Sequence, residues 1–180
     1  MICLVTGGIR SGKSRFAEEK CLKMAEGKPV VYVATGLAKD GEMKRRVELH
    51  QSRRPRDWGL VEEPLRLVEC FRNEREKPCF LVDDLSTWVA NFLLEQSEEA
   101  LESDRGEFEE QMQEEAEKLI ASLQGKDAVL VTSEVGLGGV SPNKMARVFQ
   151  DALGTVNQTV ARSADEVWLV ASGIPRRLKG

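Results

Sequence analysis

Five short runs of the chain are mainly apolar: residues 2–6, 30–34 (Val-Val-Tyr-Val-Ala), 79–83 (Cys-Phe-Leu-Val-Asp), 128–132 (Ala-Val-Leu-Val-Thr) and 166–171 (Glu-Val-Trp-Leu-Val-Ala). Runs of this length, rich in β-branched residues and apolar on both faces, predict strands of a parallel sheet covered by helices on both sides. Between the runs the period changes to that of a helix. Phe16, Ala17, Lys20, Cys21 and Met24 share one helical face, as do Phe108, Met112, Ala116, Leu119 and Leu123, and then Met145, Phe149, Ala152, Leu153, Val156 and Val160. The order is strand, helix, strand, helix. Residues 174–178 predict a last strand paired antiparallel, with Pro175 weighing against it. Residues 95–118 are dense in glutamate, yet their i, i+4 apolar spacing marks a helix with a solvated face, preceded by a loop at Ser103 to Gly106.

At 180 residues the chain is expected to form one domain over 1–180 with a sizeable core. A formal charge of −4 and a pI near 5.3 exclude broad electrostatic binding to nucleic acid or to an anionic membrane. No apolar run approaches the roughly 20 residues of a membrane span. The first residues enter a strand rather than a cleavable leader, so the expected location is cytoplasmic. Cys3, Cys21, Cys70 and Cys79 lack a CxxC spacing, which points to free thiols rather than disulfides or a zinc site.

The chemistry begins at the end of the first apolar run. Gly7-Gly8-Ile9-Arg10-Ser11-Gly12-Lys13-Ser14 is a full match to the phosphate-binding loop GxxxxGK followed by Ser or Thr. Glycines let successive backbone N–H groups turn toward one phosphate, and the helix that follows adds the positive end of its dipole. Lys13 then neutralises the outer phosphates, and the Ser14 hydroxyl is positioned to ligate Mg²⁺. The 79–83 run ends in Asp83, the form of a second phosphate-site acid that holds Mg²⁺ directly or through water. Asp84 or Ser86 serves equally well as an N-cap for a helix beginning near Leu85. A third feature is the segment from Lys44 to Trp58, which carries five arginines and the chain's one histidine, His50. Guanidinium groups suit a polyphosphate, and a neutral imidazole is a competent nucleophile near neutral pH. By chemistry alone, a lone histidine is also an ordinary surface residue.

Taken together the residues resemble the bifunctional adenosylcobinamide kinase/adenosylcobinamide-phosphate guanylyltransferase family of cobalamin biosynthesis. The resemblance covers nearly the whole chain. It is carried by Thr6 to Arg15, Tyr32-Val-Ala-Thr35, Arg46-Val-Glu-Leu-His50 with Arg54-Pro55 and Trp58, and Val131-Thr-Ser-Glu134-Val-Gly136-Leu-Gly138. Arg147-Val-Phe149-Gln-Asp151, Gly154-Thr-Val-Asn157-Gln158 and Ala164-Asp-Glu-Val-Trp168 extend it. Ser133 stands where the family's run has Asn, Gln150 where it has a second Arg, and the Pro-acid order near Ser141-Pro142 is altered.

The resemblance implies a three-layer α/β phosphate-loop NTPase fold (RecA-like) with a mainly parallel sheet. It implies His50 as the site of covalent guanylylation, with Lys13 as the other catalytic group. Nucleotide contacts are expected from Gly7 to Ser14, Thr35, Gln51, Ser52, Arg53, Arg54, Glu62 and Asp83, and Mg²⁺ from Ser14 and Asp83. The implied ligands are GTP, ATP, adenosylcobinamide and its phosphate, and the implied assembly is a homo-oligomer, a trimer. Two other readings fit the phosphate loop: a generic small-molecule kinase with an incidental His50, and a nucleotide-gated binding protein with the acidic helix as its partner surface.

Overall fold

A computed structural model of the chain describes residues 1–36, 55, 57–71, 77–97 and 105–180. The described strands are β1 (Ile2–Gly7), β2 (Val30–Ala34), β3 (Gly59–Glu62), β4 (Cys79–Asp83), β5 (Asp127–Val131), β6 (Glu166–Ala171) and β7 (Ile174–Lys179). They form one sheet in the order β3-β2-β4-β5-β1-β6-β7, parallel except for the β6–β7 pair. The helices are α1 (Lys13–Ala25), the short α2 (Leu67–Cys70), α3 (Leu85–Glu95), α4 (Arg105–Ser122) and α5 (Lys144–Ser163), with a 3₁₀ turn at Gly136–Gly138. The sheet confirms the expected α/β phosphate-loop architecture. β5 stands between the phosphate-loop strand β1 and the acid-ended strand β4, so the crevice above it lies between both halves of the predicted site.

The two apolar faces of the central strands build two cores. Cys3, Val5, Tyr32, Cys79, Leu81, Val129, Val131 and Val170 pack with Ala17, Cys21, Met24 and Ala25 of α1. Ile2, Leu4, Val33, Phe80, Val82 and Leu130 pack on the opposite face with α2 to α5, where Trp88, Phe108, Met112, Leu119, Leu153 and Val156 are buried. The α4 stripe Phe108, Met112, Ala116, Leu119 and the following Leu123 are buried as the periodicity predicts. In α5 the stripe is shifted in its first turn: Met145 is largely exposed and Val148 takes the buried position. α4 starts at Arg105, so the helix takes in the end of the loop expected at Ser103 to Gly106. Cys3, Cys21 and Cys79 are buried free thiols and Cys70 is a half-buried one.

β7 forms despite Pro175, because it lies at the sheet's edge where a missing N–H can face outward. Its turn is Ser172-Gly173, both at positive φ, 51° and 81°, the backbone twist that a two-residue hairpin needs. On the α1 side, Phe16 packs on Trp168 at 5.1 Å between ring centroids, and Lys20 pairs with Glu166 at 2.6 Å. These contacts fasten the helix that follows the phosphate loop to the hairpin.

Candidate active site

The turn between β1 and α1 is built to hold an anion. Ser11 N donates to Gly8 O at 3.2 Å, closing the loop, while Arg10 and Gly12 take positive φ of 56° and 92°. The β6–β7 hairpin braces it from outside, with Gly173 N donating to Ser11 O at 2.8 Å. Gly7 is required here by space and Gly12 by its positive φ, with a neighbour close by. A Cβ on Gly7 would collide with Val170 O and lie 2.6 Å from Ser11 Oγ, and one on Gly12 would lie 3.3 Å from Gly173 Cα.

Helix α1 begins on this loop with no side-chain cap and no acid in its first turn. By contrast α3 is capped by Asp84, which accepts from Thr87 N at 2.7 Å, and α5 by Asn143, which accepts from Ala146 N at 2.9 Å. The first-turn N–H groups of an α-helix have no partner within the helix. At α1 they are therefore left for an anion. Ser11 Oγ is likewise buried without a hydrogen-bond partner among the described residues. Lys13 Nζ reaches back over the loop to Gly8 O at 3.4 Å, which places a cation at its mouth.

Across the crevice, the register Glu62, Ala34, Asp83 sets the ends of β3, β2 and β4 level. Asp83 Oδ1 accepts from Ser14 Oγ at 3.5 Å, and its Oδ2 accepts from Tyr32 O–H at 2.5 Å. A hydroxyl and a carboxylate are hard oxygen donors, and Mg²⁺ uses one or two such protein groups with water and phosphate oxygens in the other positions. Ser14 and Asp83 fit that ion. Among the described residues no cluster of three or more His, Cys, Asp or Glu could hold a metal ion.

Thr35, expected as a nucleotide contact, lies just past the end of β2 against Asp84. It is fully buried, its hydroxyl donates to Asp84 O at 2.8 Å and accepts from Asp84 N at 3.0 Å, and its carbonyl accepts from Asn91 Nδ2 at 2.9 Å. Thr35 thereby fixes the backbone just after Asp83. Glu62 is exposed at the end of the outermost strand β3. Asp84 is the helix cap, so the two readings of the Asp83-Asp84 pair divide between neighbours. His50 and Gln51 to Arg54 lie outside the described residues.

Cys3, Cys21 and Cys70 are poor candidates for covalent chemistry. Burial pushes Cys3 up to about 12 and Cys70 up to about 11, and Cys21 is raised by its hydrogen bond to Cys79 and by burial. Thiols held protonated in apolar surroundings are inert as nucleophiles. Three contributors were not given a role in the sequence reading. Tyr32 orients Asp83, Asn91 ties the β2 end to the turn before α2 through Thr35 O and Pro64 O, and Gly173 supports the loop. Each depends on strand register or on a hairpin returning to the loop, which local sequence patterns do not carry.

Gly7→Ala should destabilise the protein by about 1–3 kcal/mol, because its Cβ meets a strand carbonyl rather than a flexible side-chain end. The midpoint of urea unfolding reads this directly. An unchanged midpoint would show that the loop is looser than the contacts imply.

A family model described as cobinamide kinase / cobinamide phosphate guanyltransferase matches residues 3–178. The bifunctional adenosylcobalamin biosynthesis protein CobP of Pseudomonas aeruginosa is 39% identical over 178 residues, which is 98% of this chain and 96% of that protein. The CobU proteins of the same description from Escherichia coli and Salmonella typhimurium are 40% and 39% identical, over 99% of this chain and all of theirs. Among solved structures, flagellar accessory protein FlaH from Methanocaldococcus jannaschii overlays with a TM-score of 0.49 at 13% identity, covering 99% of this chain and 77% of that one. An overlay so loose adds nothing to what the strand order shows.

Proposed function

The chain belongs to the cobinamide kinase / cobinamide phosphate guanyltransferase family, and from that premise we propose that it catalyses two successive transfers on one corrinoid. In the first, ATP or GTP phosphorylates the aminopropanol hydroxyl of adenosylcobinamide. In the second, GTP donates GMP to the resulting phosphate, giving adenosylcobinamide-GDP and pyrophosphate. The observation that carries the reading is the anion-ready loop at Gly7 to Ser14 with Asp83 across from it, within a family match that also spans the His50 segment.

For the first transfer, the N–H groups of the loop and of the first turn of α1 hold the phosphates, and Lys13 lies over the outer ones. Ser14 and Asp83 are the residues that would hold Mg²⁺, which when bound offsets phosphate charge. Tyr32 and Thr35 keep Asp83 in place. Positioning and electrostatics of this kind supply most of the catalysis in phosphoryl transfer.

For the second transfer, neutral His50 attacks the α-phosphorus of GTP. A nitrogen–phosphorus bond forms, the bond to pyrophosphate breaks, and the phosphate of adenosylcobinamide phosphate then displaces the histidine. Arginines nearby in sequence, including Arg53 and Arg54, bind the phosphates in this reading. Gln51, Ser52 and Glu62 complete the proposed nucleotide contacts.

We take residues 1–180 as one catalytic unit, acting as a homotrimer in the cytoplasm. No helix among the described residues is long and apolar enough to cross a membrane. Sedimentation tests the assembly: a trimer gives three times the 20.1 kDa chain mass. The activity is tested by adding adenosylcobinamide and ATP, then GTP, and following the corrinoid by mass. Gain of a phosphate and then of GMP supports both steps. Phosphorylation that never proceeds to the GMP adduct would leave only the generic kinase, and nucleotide hydrolysis indifferent to the corrinoid would point to the nucleotide-gated binding protein.

A further inference from the structure

The kinase step just proposed lacks a group to receive the hydroxyl proton, and the geometry points to Glu134, an inference that rests on that kinase reading. β5 lies between β1 and β4, and neighbouring strands are about 4.8 Å apart, so a residue just past its end sits over the crevice between the phosphate loop and Asp83. The chain after β5 stays against β1. Thr132 N donates to Val5 O at 2.9 Å, and Glu134 N donates to Gly7 O, the first residue of the loop, at 3.1 Å. The half-buried Glu134 carboxylate is held by one oxygen only, Oε1 accepting from Gly136 N at 2.8 Å. Its Oε2 has no hydrogen bond among the described residues.

The other described acids on this edge are engaged or distant. Asp83 is bonded to Ser14 and Tyr32, and Asp84 accepts from Thr87 N and Ser86 Oγ. Glu63 accepts from Leu65 N and Arg66 N. Glu62 is at the end of β3, four strands from β1. The segment after Glu134 is itself fixed. Gln150 donates to Val135 O at 3.4 Å and Gly139 O at 3.2 Å and accepts from Ser141 N at 3.2 Å. On that segment Leu137 and Val140 are 84% and 85% exposed, apolar side chains beside the acid where the body of a large acceptor would pass.

Glu134 Oε2 accepts the proton of the acceptor hydroxyl as its oxygen bonds to the γ-phosphorus. The bond from that phosphorus to the β-phosphate oxygen breaks, the nucleoside diphosphate leaves, and the proton passes from Glu134 to solvent. A positioned general base contributes about 10²–10⁴-fold. The test is Glu134→Gln, which keeps an oxygen for Gly136 N and removes the base, with Glu134→Asp beside it. The expected result is a kcat for adenosylcobinamide phosphorylation lowered on the order of 10²-fold in the Gln variant, with partial recovery in Asp. Dissociation constants for ATP and GTP, the thermal midpoint and GMP transfer to supplied adenosylcobinamide phosphate should stay near parent values. A Gln variant within about threefold of the parent kcat overturns the assignment alone, as does equal loss of both transfers. A parent protein that never phosphorylates adenosylcobinamide overturns the kinase reading and this inference with it.

Discussion

His50→Ala should abolish GMP transfer while leaving most of the phosphorylation of adenosylcobinamide intact. The reason is a division of chemistry between two parts of the chain. Phosphoryl transfer draws on the loop at Gly7 to Ser14, on Lys13 and on Asp83, all of which the substitution leaves in place. GMP transfer through a covalent intermediate needs a nucleophile, and its removal costs at least about 10³-fold in enzymes that work this way. Cys3 and Cys70 offer no substitute, since burial holds both protonated well above neutral pH. The variant should bind GTP with near-parent affinity and accumulate adenosylcobinamide phosphate when both nucleotides are supplied. Equal loss of both activities in a folded variant would contradict this division.

Lys13→Ala should damage both transfers. Lys13 lies at the mouth of the loop, where its one described hydrogen bond is the 3.4 Å contact to Gly8 O, so the folded protein depends on it little. Its charge acts on phosphates. Loss of one preorganised group that stabilises developing charge typically costs about 10²–10³-fold in kcat. Thermal unfolding should therefore shift by only a few degrees, while kcat/KM falls on this scale for phosphorylation and the yield of GMP transfer falls with nucleotide affinity. A variant that binds ATP and GTP normally and keeps either rate would remove Lys13 from the site.

The central sheet was legible because burial on both faces leaves mainly apolar runs, and all five such runs are strands. β3 carries no such mark: Gly59–Glu62 is short and mostly exposed, so it has neither a continuous run nor an alternation to read. Its existence follows from pairing with β2. The phosphate loop was legible for a different reason. Its spacing encodes backbone geometry, and the crowding at Gly7 and the positive φ at Gly12 show why those positions lack side chains.

The supporting groups were less legible. Thr35 belongs to a motif that marks the site, yet its hydroxyl bonds to the Asp84 backbone, a relation that exists only once β2 and β4 are side by side. Gln150, where the resemblance leads to an arginine being expected, holds the segment after Glu134 through three backbone groups. The cost or benefit of such an exchange depends on loop contacts that residue type alone does not reveal.

The most direct test of the account is the chemical fate of GTP on the protein. The purified chain is incubated with Mg²⁺ and GTP labelled at either the α or the γ phosphate, denatured, and examined for label that is lost in acid and stable in alkali. The account predicts covalent label from the α position only, absent in His50→Ala and discharged by adenosylcobinamide phosphate. A protein that binds GTP and takes up no label from either position would contradict the guanylyl-histidine mechanism and leave a kinase in which His50 has no catalytic part.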